Sequence, residues 1–189
     1  MVMNSEPLQE LERQKGLTIV IIVVYFASFC ALVCCGFHRK VPINYILLFV
    51  FTACVSWIVG FACAEEDAKT VVEAALLTTG VVLALTLYAC TTKTDFTYCG
   101  GFLFVLGMTF SIFGLLIFAW GFEMRLLYCA LGVLLFSFYL IYDTQIIVGG
   151  KHRTYQMSED DYILGALVLY LDIINMFLYI LEIMGGGKK

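Results

Sequence analysis

Six apolar runs, each close to the length that carries an α-helix across about 30 Å of bilayer hydrocarbon, fill most of this sequence. They cover residues 17–37, 43–64, 71–90, 99–121, 126–148 and 162–184. A tail, 1–16, and a shorter one, 185–189, flank what reads as a single transmembrane bundle, and the longest connection is 149–161. No room remains for a soluble domain, so activity is expected inside the bundle or on its loops. A membrane β-barrel would show alternating segments of about ten residues in place of these continuous runs. The expected fold is therefore an all-α, polytopic membrane helix bundle with six spans. Composition supports it: the chain is 62% hydrophobic and 14% charged, against about 45–50% and about 25% in soluble domains. A net charge of −4 provides no basic footprint for nucleic acid. The surroundings implied are the lipid bilayer.

The first run does not read as a cleavable signal. Glu6, Glu10 and Glu12 precede it, and it is longer than a signal's apolar core. Orientation follows from Lys and Arg in the loops. Arg39, Lys40, Lys93, Lys151 and Arg153 fall on one side, Lys69 and Arg125 on the other, where the tails add Arg13, Lys15, Lys188 and Lys189. The interhelical loops place the His38–Lys40 side in the cytosol, and an even number of spans puts both termini opposite.

The eight cysteines lie within or at the ends of spans without a C-x-x-C pair, and His38 and His152 lie in loops. That pattern lacks the clustered ligands of a zinc site. Small, soft packing residues are the simpler reading, and no cofactor is implied.

The intramembrane charges carry more information. Glu73, Asp143, Asp172 and Glu182 lie inside the spans, and no Lys or Arg does. Glu73 and Glu182 sit near span ends and can reach the interface. Asp143 and Asp172 are deep, where a charge costs at least about 2.5 kcal/mol and faces the bundle interior. They lie on consecutive antiparallel helices, and counting about 1.5 Å per residue from their shared loop puts them within about 6–7 Å in depth. Two acids that meet in low dielectric share a proton or hold a cation; the alternative is two separate polar groups bonded to backbone or hydroxyls. Gly149-Gly150 suits a helix C-cap, and Ser158 followed by three acids suits an N-cap. Asn175 shares a helix face with Asp172 at i+3; with Tyr142 it is the supporting polar group beside the pair.

Several stretches resemble one family. Tyr139-Leu-Ile-Tyr-Asp143-Thr-Gln-Ile-Ile-Val-Gly-Gly150, Glu159-Asp-Asp-Tyr162 and Leu169-Tyr-Leu-Asp172-Ile-Ile-Asn175-Met-Phe-Leu-Tyr-Ile-Leu181 are similar to the end of the Bax-inhibitor/lifeguard family of membrane proteins. Cys34-Cys-Gly-Phe-His-Arg-Lys-Val-Pro42 and Thr94-Asp-Phe-Thr97 resemble its lifeguard branch, near the glutamate-receptor-associated member. The resemblance runs from about residue 17 to about residue 185. It implies a seven-helix fold with the last helix central; the family's first helix and its basic approach have no counterpart ahead of residue 17. It also implies a calcium leak across the endoplasmic reticulum or Golgi membrane, a dampening of cell death, and apoptosis-regulating membrane proteins as partners. Asp143 and Asp172 match the family's pH-sensitive pore pair. A basic latch at the cytosolic helix end before the Pro42-Ile-Asn44 turn falls in His38, Arg39 and Lys40.

The expectation is thus a pH-sensitive calcium leak channel, not an enzyme. Calcium is the transported ion, held weakly by Asp143 and Asp172, since two carboxylates supply few of the roughly six to eight oxygens calcium takes. Two other classes stay open. One is a non-conducting membrane protein that regulates cell death through partners. The other is an intramembrane aspartyl protease, for which Tyr142-Asp143 fits, whereas Tyr170-Leu-Asp172 replaces the required Gly-x-Gly-Asp and no Pro-Ala-Leu element occurs.

Overall fold

The computed structural model describes residues 6–120 and 124–186. Gly121, at the end of the expected fourth span, and residues 1–5 and 187–189 of the expected tails lie outside the described residues. Every regular element among the described residues is helical: α1 (Glu6–Val33), α2 (Ile43–Ala64), α3 (Ala68–Thr91), α4 (Gly100–Trp120), α5 (Arg125–Val148) and α6 (Tyr162–Gly185), with 3-10 turns at Phe37–Arg39, Thr97–Cys99 and Glu159–Asp161. All six helices are long and apolar enough to cross a membrane. In lipid a backbone must satisfy its own polar groups, which makes the helix the default. Side-chain hydroxyls follow the same rule. Ser56, Thr78, Thr79, Ser111 and Ser137 each donate to the carbonyl four residues earlier on their own helix.

The first helix stops earlier than the apolar run 17–37. The amides of Cys34 and Cys35 both donate to Cys30 O, at 2.8 and 3.2 Å, and Gly36 adopts φ 67. That left-handed residue ends the helix at low steric cost, and the rest of the run forms the Phe37–Arg39 turn.

The chain divides into two units, Met1–Gly60 and Phe61–Lys189. In the first, α1 meets α2 through a stacked Tyr25–Phe51 pair with ring centroids 5.0 Å apart and through Phe29 at 6.2 Å. In the second, α5 and α6 form the most extensive helix pair, and α3 packs on both. Ala74, Leu140, Met176, Ile180 and Leu181 make its dry core. Within this unit α5 is packed by α3, α4 and α6, whereas α6 packs on α3 and α5; the α6 span has the largest buried share of the six.

Three glycines spaced seven residues apart seat α4 against α5. Gly100, Gly107 and Gly114 face Tyr142, Tyr139 and Tyr128, each ring tip resting where a Cβ would stand. Tyr139 donates its hydroxyl to Leu103 O at 2.7 Å and Tyr128 to Phe110 O at 3.3 Å. Phe110 and Tyr128 stack with centroids 4.1 Å apart, and Tyr179 of α6 meets both edge-on. Helix ends follow the expected punctuation: Gly149 (φ 64) terminates α5, and the Ser158 side chain accepts from the Asp160 amide at the turn leading into α6.

Candidate functional site

The register of α5 against α6 builds the site. Gly165 lies against Ile147, and Gly132 lies against the Tyr179 ring. On this antiparallel pair the level of Asp143 falls near Leu169, which leaves Asp172 only about 4.5 Å deeper at 1.5 Å per residue. Helical side chains lean toward their own N-termini. Asp143 therefore leans inward and Asp172 leans outward, and the offset closes. The two carboxyl groups lie within side-chain hydrogen-bond reach of each other.

Burial sharpens the picture. Asp172 is 4% exposed and Asp143 half-buried. Asp172 Oδ2 is buried with no hydrogen-bond partner among the described residues. A buried acceptor left open costs free energy unless a proton or cation reaches it. Leu140 precedes Asp143 by three residues and Met176 follows Asp172 by four, and both belong to the dry core. The pair thus sits at the edge of an apolar cluster, where charge is strongly felt.

The other expected site residues fall in different places. Asn175 Nδ2 donates to Leu171 O of its own helix at 2.7 Å. Tyr142 turns away toward Gly100 on α4. Tyr139, one turn before Asp143, was not singled out by the sequence; it is the phenol within electrostatic reach of both carboxylates. Its i−4 spacing from Asp143, which puts both on one helix face, is the sequence signal that marks it. Glu73 lies near the start of α3 and Glu182 near the end of α6, and each pairs with a base: Lys69 at 3.6 Å and Arg125 at 2.9 Å. His38, Arg39 and Lys40 lie in the first unit. There His38 Nδ1 is 2.7 Å from Leu32 O, Asn44 Nδ2 donates to His38 O at 3.1 Å, and Lys40 Nζ stands 4.9 Å from the Phe37 ring centroid. An apolar groove of about 460 Å³ runs between α4 and α5, past Phe110, Leu131 and Phe138, and its lining includes neither aspartate.

The family model described as inhibitor of apoptosis-promoting Bax1 matches residues 1–189. The chain belongs to the Bax-inhibitor/lifeguard family. It is 35% identical over 181 residues to human protein lifeguard 3, covering 93% of this chain and 58% of that protein. With mouse protein lifeguard 3 it shares 34% over 169 residues, covering 86% and 54%. With protein LIFEGUARD 3 of Arabidopsis thaliana it shares 39% over 180 residues, covering 92% and 69%. The chain spans little more than half the length of the two mammalian relatives. Family membership and six spanning helices together make it an integral membrane protein.

Proposed function

We infer that this lifeguard-family chain is a pH-sensitive calcium leak of an intracellular membrane, endoplasmic reticulum or Golgi. In that role it contributes to calcium homeostasis and to negative regulation of apoptosis. The observation that carries this reading is the meeting of Asp143 and Asp172 beside a dry core, with one Asp172 oxygen left open. Two carboxylates in low dielectric cannot both stay charged without a companion, so they share a proton in one state and accept a cation in another. So few oxygens hold calcium weakly, which suits passage more than storage. The family description, inhibitor of apoptosis-promoting Bax1, supports the cell-death side.

The test is calcium flux into dye-loaded proteoliposomes carrying the purified chain over a pH series. Flux above that of empty vesicles, lost in an Asp143→Ala, Asp172→Ala double variant that remains helical, is the expected result. A helical wild-type chain that carries no calcium at any pH would overturn the leak and leave partner binding as the activity.

A further inference from the structure

Two side chains from different elements converge on the same carbonyl oxygens at the end of α3. Gln145 Nε2 donates to Ala89 O at 3.3 Å and to Thr94 O at 3.1 Å, and Gln145 Oε1 accepts from the Phe96 amide at 2.8 Å. Arg153, in the α5–α6 loop, donates from Nη2 to Ala89 O at 2.9 Å and Thr92 O at 2.8 Å, and from Nη1 to Thr94 O at 2.6 Å. A carbonyl oxygen has two lone pairs, so Ala89 and Thr94 can each accept from both. Ala89 O is an acceptor that the last turn of α3 leaves open, Thr92 and Thr94 follow the helix, and the guanidinium stands at the negative end of its dipole.

The same loop is fastened from its other side. Asp95 Oδ1 accepts from the Thr97 amide at 2.9 Å and the Thr97 hydroxyl at 2.6 Å, while Asp95 Oδ2 accepts from the Thr154 amide at 2.9 Å. Thr97 Oγ1 in turn accepts from the Tyr155 amide at 3.2 Å. The 94–97 stretch is thus clasped to α5 and to the α5–α6 loop.

The clasp and the aspartate pair share one helix. Gln145 follows Asp143 by two residues, about 200° around α5. α5 presents Asp143 to α6 and Gln145, 1% exposed, to the end of α3. The helices α3, α5 and α6 touch pairwise. Because α3 packs on α6 as well as on α5, a shift of α5 away from the α3–α6 pair at this depth breaks the bonds Gln145 makes to Ala89 O of α3 and to the 94–96 loop. We propose that Gln145 and Arg153 are positioning residues: by clasping the α3–α4 loop to α5 they set the separation of Asp143 from Asp172, so that loosening the clasp and parting the carboxylates are one motion. The inference rests on reading the pair as the ion site, but the coupling can be measured without any ion.

The experiment is amide hydrogen exchange on the full chain in lipid nanodiscs at one alkaline pH, where the shared proton is lost and the two carboxylates repel, because coupling between two sites is reciprocal. The reporters are the amides of Phe96, Thr154 and Tyr155, with α1 amides as the control. Asp172→Asn removes the repulsion that parts the helices and is expected to slow exchange at the reporters by about fivefold or more, the lower end of typical coupling, while α1 is unchanged. Arg153→Gln is expected to speed exchange at Phe96 by a larger factor in the wild-type background than in Asp172→Asn. Arg153→Lys keeps the charge at the helix end without the fork and should fall between. Equal factors in the two backgrounds, or reporters that ignore Asp172→Asn, would overturn the coupling. Absence of calcium flux in a chain that shows the coupling would sink the leak and leave the positioning role standing.

Discussion

In the proposed leak Asp172 is the residue on which the chemistry turns, because its Oδ2 is buried and open while its carboxyl lies beside that of Asp143. Asp172→Asn preserves size and hydrogen-bonding capacity but removes the ionisable proton. We expect its unfolding free energy in detergent to change by about 1 kcal/mol or less, typical of a change that opens no cavity, while the pH dependence of calcium flux flattens. Flux that keeps the wild-type pH profile would remove Asp172 from the switch. Asp95 offers a second residue-scale test, outside the spans. The Thr97 hydroxyl, together with the Thr97 and Thr154 amides, holds its carboxyl down at about 2. A folded-state value below the ordinary carboxylate range of about 3.9 stabilises the fold above that range, and the contribution is lost as pH falls through about 2. Asp95→Ala should therefore be less stable than wild type at neutral pH, with the gap steady down to about pH 4 and closing by about pH 2. Thermal unfolding of both proteins across that window checks it; a gap independent of pH would show that the charge is not what the loop uses.

Between α4 and α5 the binding element is the Gly100, Gly107, Gly114 series set against three tyrosines. α4 has no ionisable residue over 100–120 and is apolar all round, so shape positions it more than polarity does. A methyl group at Gly107 would overlap the Tyr139 hydroxyl, which also donates to Leu103 O. Gly107→Ala is expected to destabilise the chain by about 1–3 kcal/mol, the usual cost of overpacking. Adding Tyr139→Phe should return most of that loss, because the conflict is with the hydroxyl more than the ring. A double-mutant cycle on unfolding in detergent reads the interaction directly. Additive losses would mean that the helices approach each other elsewhere.

For the whole molecule the prediction concerns direction. In the proposed leak, a closed bundle in which Asp143 and Asp172 share a proton loses that proton as pH rises; two charges then repel, α5 and α6 part, and calcium gains access. Tyr139 and Tyr142, the phenols nearest Asp143, do not reverse this sign, because an added negative charge on either would only increase the repulsion. Calcium flux should rise with pH and fall on acidification, and substitution of Asp143 should flatten the curve. Flux that increases on acidification in a folded chain would contradict the shared proton and turn attention to His38 and His152.

The six spans were legible in the sequence because a bilayer forces each segment to satisfy its backbone within itself, so length and apolarity decide locally. Helix-end punctuation was legible for the same reason, since Gly149 and Ser158 act on their own neighbours; the run 17–37 misled, because apolarity continues past the end of α1 at Val33 through Cys34 and Cys35 to Phe37, across the turn at Gly36. Asp143 and Asp172 stood out as deep acids, and their rough depth followed from residue counts. What decided their meeting was the register of α5 on α6 and the opposite lean of the two side chains, which depend on where Gly132 and Gly165 admit their neighbours. Arg153 reads in sequence as one more loop cation, yet its acceptors are carbonyls 59 to 64 residues away. Gln145 reads as a polar residue near a helix end, yet it is buried against the end of α3. Backbone acceptors have no residue type, so nothing in the chain's letters marks them; only packing brings a donor to them.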